Sequence, residues 1–131
     1  MKKNIFLIAI FFNLGCSIPE KKVTMIFVQR VDLEITTITR IDCDMFEHTF
    51  ENDKEFKNYV IKEKTVLDKV KNILDTIKLS NKGYDIDVRE KIIIFYSDST
   101  KDTLCTSLTG LKLNGNLMEI DNKSLDFIHK L

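Results

Sequence analysis

The chain has 131 residues, 44% of them hydrophobic and 31% charged, with four glycines and one proline. That length holds a single domain with a core large enough to be stable without cross-links, and the scarcity of glycine and proline excludes collagen-like and low-complexity classes. Twenty basic residues balance twenty acidic ones, which excludes the basic footprint of a nucleic-acid binder.

The first segment, 1–15, opens with Lys2 and Lys3 and continues into an unbroken apolar run, Ile5 to Phe12. Such a run is far short of the roughly 20 residues that a membrane-spanning helix needs. A positive start, a short apolar core and a small residue at its boundary have the form of a secretory signal. The boundary itself, Leu14-Gly15-Cys16, resembles the lipobox of bacterial lipoproteins in its last two positions. Leu14 and Asn13 depart from that pattern, which prefers a small residue and then leucine. The resemblance implies cleavage before Cys16, lipid modification of Cys16, and anchoring of the domain to the membrane through that lipid. Residues 16–22 then form a short tether, and 23–131 a single α+β domain. In lipoprotein sorting patterns, Ser17 after the cysteine implies the outer membrane, and the lack of an acidic run in the tether implies its periplasmic face.

Met25 to Val28 reads as extended. Val31, Leu33 and Ile35 alternate with Asp32, Glu34 and Thr36, and Ile41 returns to the apolar parity, which predicts a half-buried strand over 31–41. One strand from 23 to 41 would exceed usual lengths, so a break is expected around Gln29 to Asp32. Phe46 and Phe50, four apart, predict a helical turn pinning a loop to the core. Tyr59 to Lys64 suits a lysine-protected edge strand. Val66, Val70, Ile73, Leu74 and Ile77 recur at helical spacing and predict the principal helix from Val66 to about Lys78, with Thr65 as its cap and Asp68 as the capping-box partner.

Ile92 to Tyr96 is apolar on both parities and predicts a central strand. Asp102 to Leu108 returns as its partner. Asn114-Gly115 predicts a type I′ hairpin that places Leu111, Leu113, Met118 and Ile120 on one face, and 122–131 closes as a short helix. The expected architecture is α+β: an antiparallel meander, one principal helix packed across it, and a short C-terminal helix. The order of Cys43 with Phe46, the capped helix, Ile86-Asp87-Val88-Arg89, Asp102-Thr103-Leu104-Cys105 and Leu113-Asn114-Gly115 resembles a functionally unassigned group of small bacterial α+β lipoproteins. That group has no activity or site residue to transfer.

No phosphate loop, H-E-x-x-H, C-x-x-C or G-x-S-x-G occurs. Cys43, Asp44, Glu47 and His48 are the only dense set of metal-ligand types, with too few good donors for a zinc site. Cys105 with His48 or His129 has the residue types of a nucleophile and base, but Cys105 lies in a strand-like stretch. His129 in a last helical turn suits the helix dipole. Asp85 with Asp87, and Asp98 with Asp102, are acid pairs of the type used in proton transfer, and acids at strand ends also serve solubility. Arg89 could clamp a carboxylate or pair with a neighbouring acid, and it joins His48 as a candidate binding residue.

With Cys16 assigned to lipid, Cys43 and Cys105 remain as a candidate disulfide in an oxidising compartment, or as two separate buried thiols. The composition and motifs thus favour a lipid-anchored, non-catalytic binding or accessory domain with an envelope protein as partner and no cofactor. The alternatives are an inhibitor or immunity protein against a hydrolase or toxin, and an enzyme of unrecognised type.

Overall fold

The computed structural model describes residues 18–131, so the leader and Cys16 lie outside the described residues. Among these residues seven strands form one antiparallel sheet: β1 (Val23–Arg30), β2 (Lys57–Ile61), β3 (Lys78–Leu79), β4 (Glu90–Tyr96), β5 (Lys101–Thr106), β6 (Leu111–Leu113) and β7 (Asn116–Glu119). Their spatial order is β2-β1-β4-β5-β6-β7-β3. Among the described residues three helices accompany them: α1 (Phe46–Phe50), α2 (Lys64–Thr76) and α3 (Asn122–Ile128). The architecture is the expected α+β arrangement, with β4 to β7 as the meander. The helix α2 joins the two outermost strands, β2 and β3, and therefore has to cross the sheet to connect them. Among the described residues no helix is long and apolar enough to span a membrane.

Strand parity sorts the side chains into two cores. Ile26 and Val28 of β1, Ile92, Ile94 and Tyr96 of β4, and Leu104 of β5 are buried against Leu67, Val70 and Ile73 of α2 and Leu125 and Ile128 of α3. The opposite face carries a second cluster in which Val31, Ile41, Phe46, Phe50, Ile86 and Val88 pack with Cys105 and Leu117. This face is closed at one end by the single short helix α1 and by the irregular segments 31–45 and 80–89. Cys43 and Cys105 form a disulfide, their Cα atoms 5.8 Å apart, which ties the α1 segment to the middle of the sheet.

The hairpin is as expected. Asn114 and Gly115 both have positive φ, 49° and 83°, which a type I′ turn demands of its two central residues. Leu111 pairs with Met118, and Leu113, Met118 and Ile120 pack on the helix-covered core with Leu111.

Three local expectations are corrected. The helix α2 begins at Lys64, with Glu63 as a cap residue that makes no side-chain capping bond. Thr65 instead donates its hydroxyl to the Glu63 carboxylate at 2.6 Å, and Asp68 is taken by Lys64 at 2.5 Å, so no capping box forms. The helix also stops at Thr76, because Ile77 turns extended to deliver Lys78 to its pairing with Glu119. At the C-terminus, α3 is capped by Asp121, which accepts from the Ser124 amide at 2.9 Å. It ends at Ile128, and Lys130 and Leu131 follow with bonds to residues three back, the tighter turn common at helix ends.

The third correction concerns 31–41, which is not a strand. Its alternation is real: Val31 is buried, Leu33, Ile35 and Thr37 are half-buried, and Asp32, Glu34 and Thr36 are exposed. The segment runs across the second face without a neighbouring ladder. Its backbone is bonded instead by Arg89, whose Nε donates to the Ile35 carbonyl at 3.0 Å.

Candidate binding groove

A concavity of about 690 Å³ lies where three sequence-distant segments meet: 33–37, 84–89 and 107–109. Each is placed by a specific bond set. Val31 donates its amide to the Arg89 carbonyl at 3.0 Å, Arg89 donates its own to the Thr106 carbonyl at 2.9 Å, and Val88 donates to the Ile41 carbonyl at 2.9 Å. The third segment turns at Ser107–Gly110, where the Gly110 amide donates to the Ser107 hydroxyl at 3.0 Å. A side chain at Gly110 would put its Cβ 2.7 Å from Ile86, so glycine is what lets this turn lie against the groove wall.

Arg89 forms the base and is only 5% exposed. Its Nη1 donates to Asp87 Oδ1 at 2.8 Å and to the Val88 carbonyl at 2.9 Å. Its Nη2 donates to Thr37 Oγ1 at 3.0 Å and to Asp87 Oδ2 at 2.5 Å. With Nε on Ile35, all five guanidinium donors are engaged. Of the two readings of Arg89, the local pairing is the one the geometry displays: the guanidinium staples the groove together and has no donor left for a ligand.

The neighbouring acids are equally committed. Asp87 also accepts from the Ile41 amide at 2.7 Å. Asp85 accepts from Lys112, from the Ile86 amide at 2.9 Å, and pairs with Arg40 at 3.2 Å. The Lys112 bond, followed by the Ile86 amide, holds the Asp85 carboxyl below its ordinary range. Both are structural acids, held by the bonds they accept. The groove presents outward Tyr84, 49% exposed, and Leu108, 56% exposed, together with the exposed Glu34 carboxylate and the hydroxyls of Thr36 and Thr109.

The other candidates fall elsewhere. His48 is exposed on α1 and does not line the groove. Cys43 is in the disulfide and Glu47 pairs with Lys91 at 3.2 Å, so these metal-ligand types are engaged elsewhere. Among the described residues no group of three or more His, Cys, Asp or Glu side chains is positioned to hold a metal. Cys105, being disulfide-bonded and fully buried, offers no thiol to either histidine. His129 sets its Nε2 at 3.1 Å from the Ser107 carbonyl, and burial pulls its pKa down despite that contact. Asp98 is occupied by the Thr100 amide and hydroxyl. Asp102 accepts the Tyr96 hydroxyl at 2.6 Å, and burial, reinforced by this carboxylate, pushes the Tyr96 phenol up.

Sequence reasoning passed over a buried polar row on the helix-covered face. Arg30, Glu90 and Thr106 are cross-strand neighbours on β1, β4 and β5. Arg30 reaches Glu90 at 3.1 Å, and the Glu90 side chain is 1% exposed. Arg30 also donates to the His129 carbonyl at 3.1 Å, and Tyr59 donates to the Leu131 carbonyl at 2.6 Å. Burial pushes the Glu90 carboxyl up to about 7 against the pull of Arg30. The signal was in the parity: Glu90 shares its face with Ile92, Ile94 and Tyr96.

Comparison of the chain with protein-family models, with curated proteins and with solved structures finds no match.

Proposed function

We propose that the chain is a lipid-anchored envelope protein whose domain binds another envelope protein through the Tyr84–Leu108 groove, without catalysing a reaction. The observation that carries this reading is the placement of that groove relative to the tether. Lys22 is bonded to Ser97, just beyond one end of β4, in both directions: its carbonyl accepts from the Ser97 amide at 2.8 Å and its amide donates to the Ser97 hydroxyl at 3.1 Å. Arg89 and the groove adjoin the other end. The strand between them, Glu90–Tyr96, spans roughly 20 Å at about 3.4 Å per residue. A lipid on Cys16 therefore holds one end of the domain at the membrane and sets the groove at the far end of β4 from it. Exposed aromatic and aliphatic side chains over a base of satisfied charges suit protein recognition, because docking there strands no buried charge.

The test combines anchoring with site-specific photo-crosslinking in the producing cell. The wild-type protein should fractionate with membranes and Cys16→Ser should not, since each buried methylene of an acyl chain contributes about 0.8 kcal/mol. A photo-crosslinker replacing Tyr84 should give a discrete protein adduct that Leu108→Asp removes, while one at the exposed α2 residue Asn72 should not. Equal membrane partitioning of wild type and Cys16→Ser would refute the anchor. Absence of a Tyr84-specific adduct would refute the groove.

A further inference from the structure

On the second face of the sheet, the half nearest the tether is apolar and lies outside both cores. Phe27 pairs with Val60 on one side and Ile93 on the other, and Met25 pairs with Phe95, so these five side chains form one patch across β2, β1 and β4. Val60 is 50% exposed, and Met25, Phe27, Ile93 and Phe95 are all partly exposed. Their opposite-face neighbours Ile26, Val28, Ile92 and Ile94 are fully buried. Both β1 and β4 have a strand on each side, so the remaining exposure of these residues is through the face itself.

We infer that this patch is a membrane-contacting surface, which lies against the lipid bilayer when the domain is anchored. The inference rests on the lipid-anchored reading of Cys16. Only six residues separate Cys16 from Val23 in the sequence, a reach of at most about 25 Å. The chain enters the sheet beside the patch, since Val23 pairs with Tyr96 and Met25 with Phe95. A bilayer is thus always within reach of the patch, at an effective concentration that a diffusing partner or a second copy does not have. The chemistry agrees: an apolar sheet face next to cations suits an interfacial position over anionic headgroups. Lys101 pairs with Phe95 on the same face. Lys22 is exposed at the strand entrance.

The chain has no tryptophan, so a single introduced one reports its own surroundings. Full-length, lipidated Phe27→Trp protein is reconstituted on phosphatidylethanolamine–phosphatidylglycerol vesicles, with and without acyl-chain-brominated lipid. The expected result is that brominated lipid quenches most of the Phe27→Trp fluorescence and none of that from a Tyr84→Trp protein. Adding Val60→Glu to Phe27→Trp, at a position exposed enough to keep the fold, should restore the lost signal. Vesicles that float with the Phe27→Trp protein while its indole stays unquenched would overturn the patch and leave the anchor standing. Failure to float would overturn the anchor and the patch together. An emission shift of the Phe27→Trp protein that follows protein concentration and ignores the brominated lipid would assign the face to a second copy and overturn the inference as well.

Discussion

Glu90 gives the sharpest physical prediction. Its carboxyl has an ordinary value of 4.5 and is pushed up to about 7 by burial. The folded protein therefore holds a proton on Glu90 that the unfolded chain has released. Stability from this group is fully present below pH 4.5 and is lost as pH rises through 7. At about 1.36 kcal/mol per pH unit, the difference between these limits is about 3 kcal/mol. Glu90→Gln keeps the shape and removes the titration. Its stability relative to wild type should rise by about 3 kcal/mol between pH 4.5 and 8, whatever constant offset follows from leaving Arg30 without a carboxylate. The variant comparison matters because His129 acts with the opposite sign: its lowered pKa adds stability above the unfolded value and withdraws it in acid. Urea unfolding followed by circular dichroism across that pH range reads both proteins. Parallel stability curves for wild type and Glu90→Gln would refute the argument that Glu90 is a buried, titrating carboxylate.

Two further expectations concern the second face. Replacing both Cys43 and Cys105 with alanine opens a loop of sequence separation 62 and should cost about 4 kcal/mol by the chain-entropy estimate, read as a lower urea midpoint. Arg89→Met removes a five-donor staple and leaves Asp87 without its counter-ion, and should cost at least about 2 kcal/mol. Hydrogen exchange should then rise over 35–37 while β4 stays protected; unchanged exchange there would show that Arg89 does not hold that segment.

The elements legible in the sequence were those whose signal is local. Asn114-Gly115 specified its own turn, Val70 and Ile73 marked the buried stripe of α2, and Ile92 to Tyr96 marked a strand inside the sheet. The strand expected over 31–41 failed because alternation reports which side chains are inward and says nothing of where backbone hydrogen bonds go. A side chain 54 residues away supplies one of them. Glu63 and Thr65 show the same limit at smaller scale, since either can start a helix and only the packed structure decides. The groove escaped notice because Tyr84 and Leu108 belong to separate segments without a shared periodicity. Asp85, Asp87 and Arg89 were visible as charged groups, yet their partners Arg40, Lys112, Ile41 and Thr37 come from elsewhere in the chain.

The strand order also sets a timetable. Strand β1 is synthesised first among the strands but sits inside the sheet, where Ile26 meets Ile61 on one side and Ile94 on the other. Pairings so distant in sequence are slow to form, because the intervening loops must close before the contacts reward them. A growing chain therefore cannot complete the pairing of β1 until β4 has emerged. The Tyr59 bond to the Leu131 carbonyl closes only when residue 131 is in place. A topology that delays its own completion leaves the sheet open until the last of its strands has been made.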